Sequence, residues 1–400
     1  MRAFTMYHVL SISLVSCLLL ILTGCWDRTE VNDVALITGA AIDKIDESSI
    51  LLSVQIFIPR TASSGGMSGQ SANVGNQASF VSSAKGANIA DALSHIQEKL
   101  PRKLFWGHAE VFILSEEVAK DGIRDEVDYL MRAPQPRERA YMFVVKGKAR
   151  QLLDAQSMLE RNTAEVMREV AKSKLSLSVT LADLAQMLVD ETGAAAIPWI
   201  ELLPASSSRN NDKLPSPVIG SAIFKEGKMI GKIDEFTTKG VLWIKDEIKH
   251  AVITVNPTES FGTVSLRLLT SRTKLKPLIK DGKWSINIQI RAENNALQNS
   301  TSLKISQDPQ AIKIVENSMN KDIEERIRVA LNKVQKEMGA DIFDFGGTFH
   351  RAYPKEWKLN KAHWGEIFTN LDVTINPHAT IQRPGLTSIK DVELKEETGK

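Results

Sequence analysis

Two cysteines supply the only thiols of this 400-residue chain, and both lie near its amino terminus. Cys17 is inside the apolar run at 9–22, "VLSISLVSCLLLIL", and Cys25 directly follows "LTG". A thiol can accept an acyl group, ligate a metal or pair in a disulfide. Because the chain has no further cysteine, a disulfide framework is excluded. The placement of Cys25, between an apolar leader and the polar "WDRTEVND", is the feature that requires a chemical explanation.

The segment before Cys25 has the properties of an export signal. Arg2 is its only formal charge, and the apolar run at 9–22 is 14 residues long. A helix that crosses a bilayer needs about 20 apolar residues, whereas the apolar part of a secretory signal has about 7 to 15. This length favours an export signal at residues 1–24 over a transmembrane anchor.

The sequence Leu22-Thr23-Gly24-Cys25 resembles the bacterial lipobox, in which small residues let a signal peptidase cut before a cysteine that carries diacylglycerol. Residues 1–24 are then removed, and Cys25 is the predicted lipidation site. The alternative is a cysteine that follows an ordinary signal peptide by chance. One acyl chain holds a protein to a bilayer only marginally, while two chains, at about 0.8 kcal/mol per buried methylene, hold it stably.

No other pattern predicts catalysis, a cofactor or a metal. The chain lacks the G-x-S-x-G, G-x-G-x-x-G, Walker and H-E-x-x-H sequences. Among the scattered histidines, only His350 and His363 share an aromatic segment with acidic neighbours. Packing of that segment is favoured over a metal site, because a junction of sheet and helix can bury its large side chains while the two histidines donate hydrogen bonds. The large side chains are Tyr353, Trp357, Trp364 and Phe368. We therefore predict that the protein is not an enzyme.

Two charged clusters have structural interpretations. Glu116 and Glu117 are adjacent, so on a helix they point about 100 degrees apart and cannot converge on one reacting atom. They indicate a helix start that Ser115 caps. The arginines of "RAPQPRERA", at 132–140, favour a solvated turn before a strand over a binding clamp.

Composition indicates a water-facing body. Hydrophobic residues make up 43% and charged residues 24%, and the mean hydropathy of -0.14 excludes a polytopic membrane protein. The net charge of +2 comes from 50 basic and 48 acidic residues, so no overall field recruits nucleic acid. A chain of this length is expected to form more than one domain.

The first half predicts mixed α/β structure. Residues 34–43 and 50–59 form an expected hairpin, and the Gly- and Ser-rich stretch 61–79 is an expected flexible insertion. Strand and helix patterns alternate from 80 to 145. A later helix is expected to begin at the cap Thr180 and to end at Gly193.

The second half predicts an antiparallel sheet and one long helix. Strand-like runs follow one another from 218 to 293, beginning with a hairpin around "KEGK". After the cap Asp308, apolar residues recur at 312, 315, 319, 323, 327, 330, 334 and 338. Their mean spacing of about 3.7 residues is that of a straight amphipathic helix laid on a sheet.

The expected fold class is therefore α+β and multidomain, with mixed and mostly antiparallel sheets that are each packed by helices. We predict a signal peptide at 1–24 and an N-terminal α/β region at 25–204, as one domain or as two split near 150. A linker at 205–217, rich in proline and polar residues, precedes a C-terminal α+β domain at 218–390 and a tail at 391–400.

Four blocks in order resemble the C subunits of bacterial spore germinant receptors, the GerC-type lipoproteins. They are "GCWDRTEVND", "FWGHAEVFILSEEVAKDG" with Gly107 and His108, "IGSAIFKEGKMIGKID", and a final block from "DIFDFGGTFHRAYPKEW" to "IQRPG". The resemblance covers nearly the whole mature chain. Trp26, Asp27 and Glu30 match the first block without an assigned role.

The resemblance implies an acylated protein on the outer face of the spore inner membrane. It implies assembly with a multi-span A subunit and a transporter-like B subunit into a receptor for small nutrients. The alternative from another class is an extracytoplasmic solute-binding lipoprotein, which predicts β-α-β units building two parallel sheets around a cleft. A hydrolase is disfavoured because no nucleophile is paired with a base.

Overall fold

The computed structural model describes residues 33–57, 79–155, 160–203, 214–215 and 220–383, together with the single residue His8. Cys25, the signal peptide, most of the predicted insertion and linker, and the tail at 391–400 lie outside the described residues. Among the described residues, no helix is both long enough and apolar enough to cross a membrane.

The first sheet contains nine strands. In chain order, the strands up to residue 234 are β1 Val34–Asp46, β2 Ser49–Phe57, β3 Ser79–Gly86, β4 Lys103–Phe105, β5 Val111–Ser115, β6 Tyr141–Val145, β7 Ala194–Ile200, β8 Leu202–Leu203, β9 Leu214–Pro215, β10 Gly220–Lys225 and β11 Lys228–Asp234. The sheet order is β11-β10-β7-β6-β5-β1-β2-β3, with β4 beside the start of β1, while β8 and β9 pair separately. Strands β1, β5, β6 and β7 are parallel and the outer strands are antiparallel. The expected hairpin of β1 and β2 is present.

Both faces of this sheet are buried at its centre. Phe112 and Leu114 of β5 belong to the main core, whereas Val111 and Ile113 belong to a second cluster on the opposite face. Alternate residues of a strand point to opposite faces, so a strand covered on both sides has a continuous apolar sequence. This explains the uninterrupted "VFIL" of β5.

Six helices pack against the first sheet: α1 Ile89–Gln97, α2 Glu116–Asp121, α3 Arg124–Arg132, α4 Ala149–Leu153, α5 Thr163–Lys172 and α6 Leu181–Val189. Ser115 caps α2 by accepting a hydrogen bond from the Val118 N–H, and Thr180 forms a capping box with Asp183 at α6. The expectation that this helix ends at Gly193 is wrong. It ends at Val189 because Asp190 is extended, and Gly193, with a φ of +58°, turns the chain into β7.

The second sheet has the order β12-β13-β14-β15, formed by Val252–Val255, Val264–Lys280, Lys283–Asn299 and Asp372–Arg383. The first three strands are antiparallel, and β15 is parallel to β14. The strands predicted from 218 to 293 pair antiparallel, as expected, but the prediction that they form one sheet is wrong. Their first hairpin, β10 and β11, joins the first sheet, where Gly220 pairs with Trp199. The domain limits at 205–217 stay a prediction.

A long helix packs on the second sheet, as the apolar spacing predicts. Helix α7, Glu235–Ile244, precedes the sheet, and α8, Pro309–Ala330, follows it. Asp308 caps α8, which continues as a π-helix over Leu331–Met338 and ends at Gly339, with a φ of +59°. Its buried face contains Val315, Met319, Ile323 and Ile327. Thirty residues at 1.5 Å each give a length of about 45 Å.

Three short helices complete the fold before β15. They are α9 Phe345–Ala352, α10 Pro354–Asn360 and α11 Trp364–Asn370. Their aromatic side chains pack on Trp284 of β14, whose ring centroid lies 4.8 Å from that of Phe349. We call residues 341–368 the aromatic segment.

Candidate functional site

The chain enters the first sheet at the amino ends of its parallel strands. Asp33 is exposed, and Val34 pairs with Lys103 at the start of β4. Cys25 precedes Asp33 by eight residues, which can extend over about 27 Å. An acyl group at Cys25 would therefore remain within about 30 Å of this edge of the body.

The block with Gly107 and His108 lies at the same edge, in a 3-10 turn at Trp106–His108. A Cβ atom on Gly107 would lie 2.4 Å from the Phe105 ring, so a larger residue there would displace that side chain. The Trp106 N–H donates to Oε1 of Gln135 at 3.2 Å, which ties this turn to the proline-rich loop before β6. His108 is exposed.

The three arginines of that loop do not converge on one site. Arg132 pairs with Asp128 at 2.8 Å, one helical turn away. Arg137 and Arg139 have no ion pair within the described part of the chain. Glu116 and Glu117 also have separate partners, Lys120 and Lys148, each at 2.7 Å.

Asp341 organises the aromatic segment. Its carboxylate accepts hydrogen bonds from the backbone N–H groups of Phe345 and Gly346, at 3.1 and 2.7 Å, and from the Trp364 indole at 3.0 Å. Burial raises the pKa of Asp341 to about 6, although these hydrogen bonds oppose the shift. Sequence reasoning missed this residue. The signal was an acidic residue placed directly between apolar residues ahead of two glycines.

The aromatic segment also contacts the N-terminal half through Glu191. The Glu191 carboxylate accepts a hydrogen bond from the Trp357 indole and pairs with Lys361 at 3.3 Å. These hydrogen bonds, with that of Trp357 the stronger, lower the pKa of Glu191. His350 stacks on Trp357, with its Nδ1 atom 3.7 Å from Glu191, while His363 is exposed. The prediction that the aromatic segment packs is confirmed for Trp357, Trp364 and Phe368, which are buried.

A cleft of about 480 Å³ lies between the first sheet and the π-helical end of α8. Lys232 lies over the Trp199 ring, 3.8 Å from its centroid. Glu201 contacts Lys146 and Lys333 contacts Glu337, each at 2.5 Å, and Asp234 accepts a hydrogen bond from the Thr237 N–H at 2.8 Å. The charged side chains of the cleft are therefore engaged with neighbouring groups of the same body.

No group of three His, Cys, Asp or Glu side chains within the described residues could hold a metal ion. The charged side chains around the cleft and in the aromatic segment form ion pairs and hydrogen bonds with neighbouring groups of the protein. Together with the two sheets, they define an α+β body whose charged groups organise packing.

Comparison with known proteins specifies the family. Residues 27–202 match the family described as "Spore germination protein N-terminal domain", and residues 219–385 match "Spore germination B3/GerAC like, C-terminal". The chain belongs to the GerC-type family of germinant-receptor subunits. These two matches lie on either side of residues 205–217, the segment that we predict to be a linker.

Individual relatives cover almost the full chain. The spore germination protein YfkR of Bacillus subtilis strain 168 is 29% identical over 376 residues, which are 93% of this chain and 95% of that protein. Spore germination protein KC of the same organism is 26% identical over 384 residues, 92% of this chain and 93% of that protein. The crystal structure of the GerBC protein has a TM-score of 0.56 and 18% identity, covering 86% of this chain and 97% of that one. The GerBC likeness confirms the α+β fold.

Proposed function

We propose that the protein is a lipid-anchored, non-catalytic subunit of a nutrient germinant receptor. In this proposal Cys25 carries the acyl chains, and the body lies on the outer face of the spore inner membrane. It acts through contacts with the membrane A and B subunits and is required for nutrient-triggered germination. The observation that carries the proposal is the ordered match of both halves to germination-protein families.

The position of the amino terminus supports the anchor. Val34 begins a central strand of the first sheet, Asp33 just before it is exposed, and Cys25 lies eight residues before Asp33. Such a connection is long enough to reach a bilayer and short enough to keep the body beside it.

The hydrogen bonds of the buried Asp341 carboxyl support a non-catalytic role. Asp341 is a buried acidic residue, and its oxygens are occupied by N–H groups of its own segment. A catalytic acid or base must reach a substrate proton. This carboxyl instead holds the start of α9.

The solute-binding alternative receives less support from the architecture. It predicts two parallel sheets around a cleft, but the second sheet has three antiparallel strands and one parallel pair. Calorimetry of the body with amino acids and sugars separates the two proposals, because binding at millimolar or lower concentration would favour the alternative.

The anchor is tested by Cys25→Ala in a sporulating host. We expect the variant to leave the inner-membrane fraction and to lose nutrient-triggered germination, because the acyl chains supply the membrane affinity. Cys17→Ala is the matched control, since it removes the other cysteine, within the leader, and should preserve both properties. Membrane fractionation and full germination by Cys25→Ala spores would contradict the proposal.

Assembly is tested by purifying the wild-type protein from spore membranes. The A and B subunits are expected to co-purify in fixed proportion. Recovery of this protein without either subunit would argue against a receptor complex.

A further inference from the structure

The outer face of the second sheet carries six exposed basic side chains between Arg272 and Arg291. The inner face, with Ile286, Ile288 and Ile290, is buried under α8. The alternate residues point away from the core and remain exposed. The basic ones are Arg272, Lys274, Lys276 and Lys280 on β13 and Lys283 and Arg291 on β14. We call this set the basic face.

Strand register brings these residues together. Arg272 lies directly opposite Arg291, and Lys280 lies opposite Lys283 across the turn at Asp281 and Gly282. From Arg272 to Lys280 the strand covers about 27 Å. Like charges directly opposite one another destabilise a sheet, so this arrangement costs stability in the isolated protein.

The basic face is not neutralised within the described part of the chain. None of its six side chains has an ion pair or a side-chain hydrogen bond there. Three acidic residues lie near it. Asp281 lies in the turn between Lys280 and Lys283, Glu293 accepts a hydrogen bond from Thr270 at 3.2 Å, and Asp372 lies beside Ser285 at one end. The face therefore has an excess of positive charge, although the whole chain carries only +2.

Protection of a sheet edge explains only part of this charge. Lysine and proline often protect an exposed edge strand from pairing with another chain, and Pro277 already removes one N–H group from β13. However, Arg291 lies where β14 pairs with β13 on one side and with β15 on the other. Its charge has no role in edge protection.

We propose that the basic face binds the anionic headgroups of a lipid bilayer. This inference rests on the proposed anchor, which keeps the body beside a membrane. The face is an open surface of long, flexible cationic side chains, which suits a layer of mobile phosphates. Leu278, between Lys276 and Lys280, is 50% exposed and adds an apolar contact near the hairpin tip. Acyl chains and basic face together would hold the body in one orientation.

The test uses the mature chain from residue 25 with Cys25→Ser, so that binding does not depend on acylation. Vesicles of phosphatidylglycerol and phosphatidylcholine in equal parts are compared with pure phosphatidylcholine vesicles by co-sedimentation. We expect binding to the anionic vesicles alone, with an affinity that falls as salt is raised.

A pair of triple variants locates the binding surface. Lys274→Gln, Lys276→Gln and Lys280→Gln together should weaken binding to anionic vesicles about 100-fold, because each basic residue contributes a factor of about five. The control combines Lys313→Gln, Lys355→Gln and Lys358→Gln, which remove the same charge from exposed positions elsewhere. It should bind nearly as the wild type does. Circular dichroism verifies that both variants are folded.

Three results would overturn the proposal: no binding of the wild type to anionic vesicles, equal losses in both triple variants, or equally tight binding to soluble polyphosphate. The last result would assign the face to a soluble polyanion. None of these results affects the anchor, because the Cys25→Ala fractionation tests acylation separately.

Discussion

At the scale of single residues, Asp341 shows how a buried charge can organise an aromatic cluster. The carboxylate receives N–H groups from the backbone at the start of α9 and from the Trp364 side chain. These bonds orient the chain so that Phe345, Phe349 and Trp364 converge. Asp341 thus positions the aromatic side chains through its hydrogen bonds. Its ionisation is unfavourable, because burial raises the pKa of Asp341 to about 6.

This raised pKa predicts a specific pH dependence. The folded state holds the Asp341 proton up to about pH 6, whereas an unfolded chain releases it near the ordinary value of 3.8. The contribution of this group to stability is therefore greatest below pH 3.8 and is lost as pH rises to 6. Relative to Asp341→Asn, the wild-type free energy of unfolding should fall by about 3 kcal/mol across that range.

Urea unfolding at several pH values measures this difference. Asp281→Asn is the matched control, because Asp281 is exposed, is not among the groups that shift the pKa of Asp341, and has a φ of +50° that asparagine tolerates. It should leave the pH dependence of the wild type nearly unchanged. A constant difference between wild type and Asp341→Asn at all pH values would show that Asp341 does not titrate in this range.

At the scale of elements, the contact of α7 with α8 connects the first sheet to the second. Gly240 allows the two helices to approach closely, since a Cβ atom there would lie 2.1 Å from the Arg326 carbonyl oxygen. Arg326 also lies over the Phe236 ring at 4.3 Å and pairs with Asp322 at 2.7 Å. The backbones of α7 and α8 are therefore in direct contact, and the stacking of Arg326 on Phe236 adds a side-chain contact between the two helices.

Gly240→Ala is expected to destabilise the protein by about 1–3 kcal/mol, because α7 must move away from α8. Thermal and urea unfolding provide the measurement. Gly365→Ala is the matched control in another helix, where a new Cβ atom meets nothing within 4 Å. That variant should be as stable as the wild type or slightly more stable. Equal effects of both substitutions would argue against the close approach.

At the scale of the whole molecule, the two sheets share one main core. The chain crosses the predicted linker and returns to add β10 and β11 to the first sheet before it enters the second. Glu191 adds a second connection, by holding Trp357 and Lys361 of the aromatic segment against the N-terminal half. The halves therefore meet at two places that are distant in sequence.

Removing the Glu191 connection should loosen the aromatic segment. Glu191→Ala is expected to accelerate hydrogen exchange of backbone amides at 354–363 and to lower stability by about 1–3 kcal/mol. Glu191→Gln retains an acceptor for the Trp357 indole but loses the charge that attracts Lys361, so its effect should be smaller. Unchanged exchange in both variants would mean that core packing alone holds the segment.

The sequence by itself predicted the features that depend on neighbouring residues. The caps Ser115, Thr180 and Asp308 and the spacing of the long helix each involve groups within a few turns, so their geometry follows from local chemistry. The ordered motif blocks also indicated the family. Lipidation of Cys25 stays a prediction, since it depends on a peptide pattern outside the described residues.

Only the tertiary structure decided which distant segments meet. The hairpin of β10 and β11 joins the first sheet, and β15 lies parallel to β14 after a crossover through α8. The alternation of lysines on β13 is visible in the sequence, but its pairing with Lys283 and Arg291 depends on strand register. Strand register and sheet order depend on which residues, far apart in the chain, bury one another. A local sequence pattern does not specify which distant strands will pair.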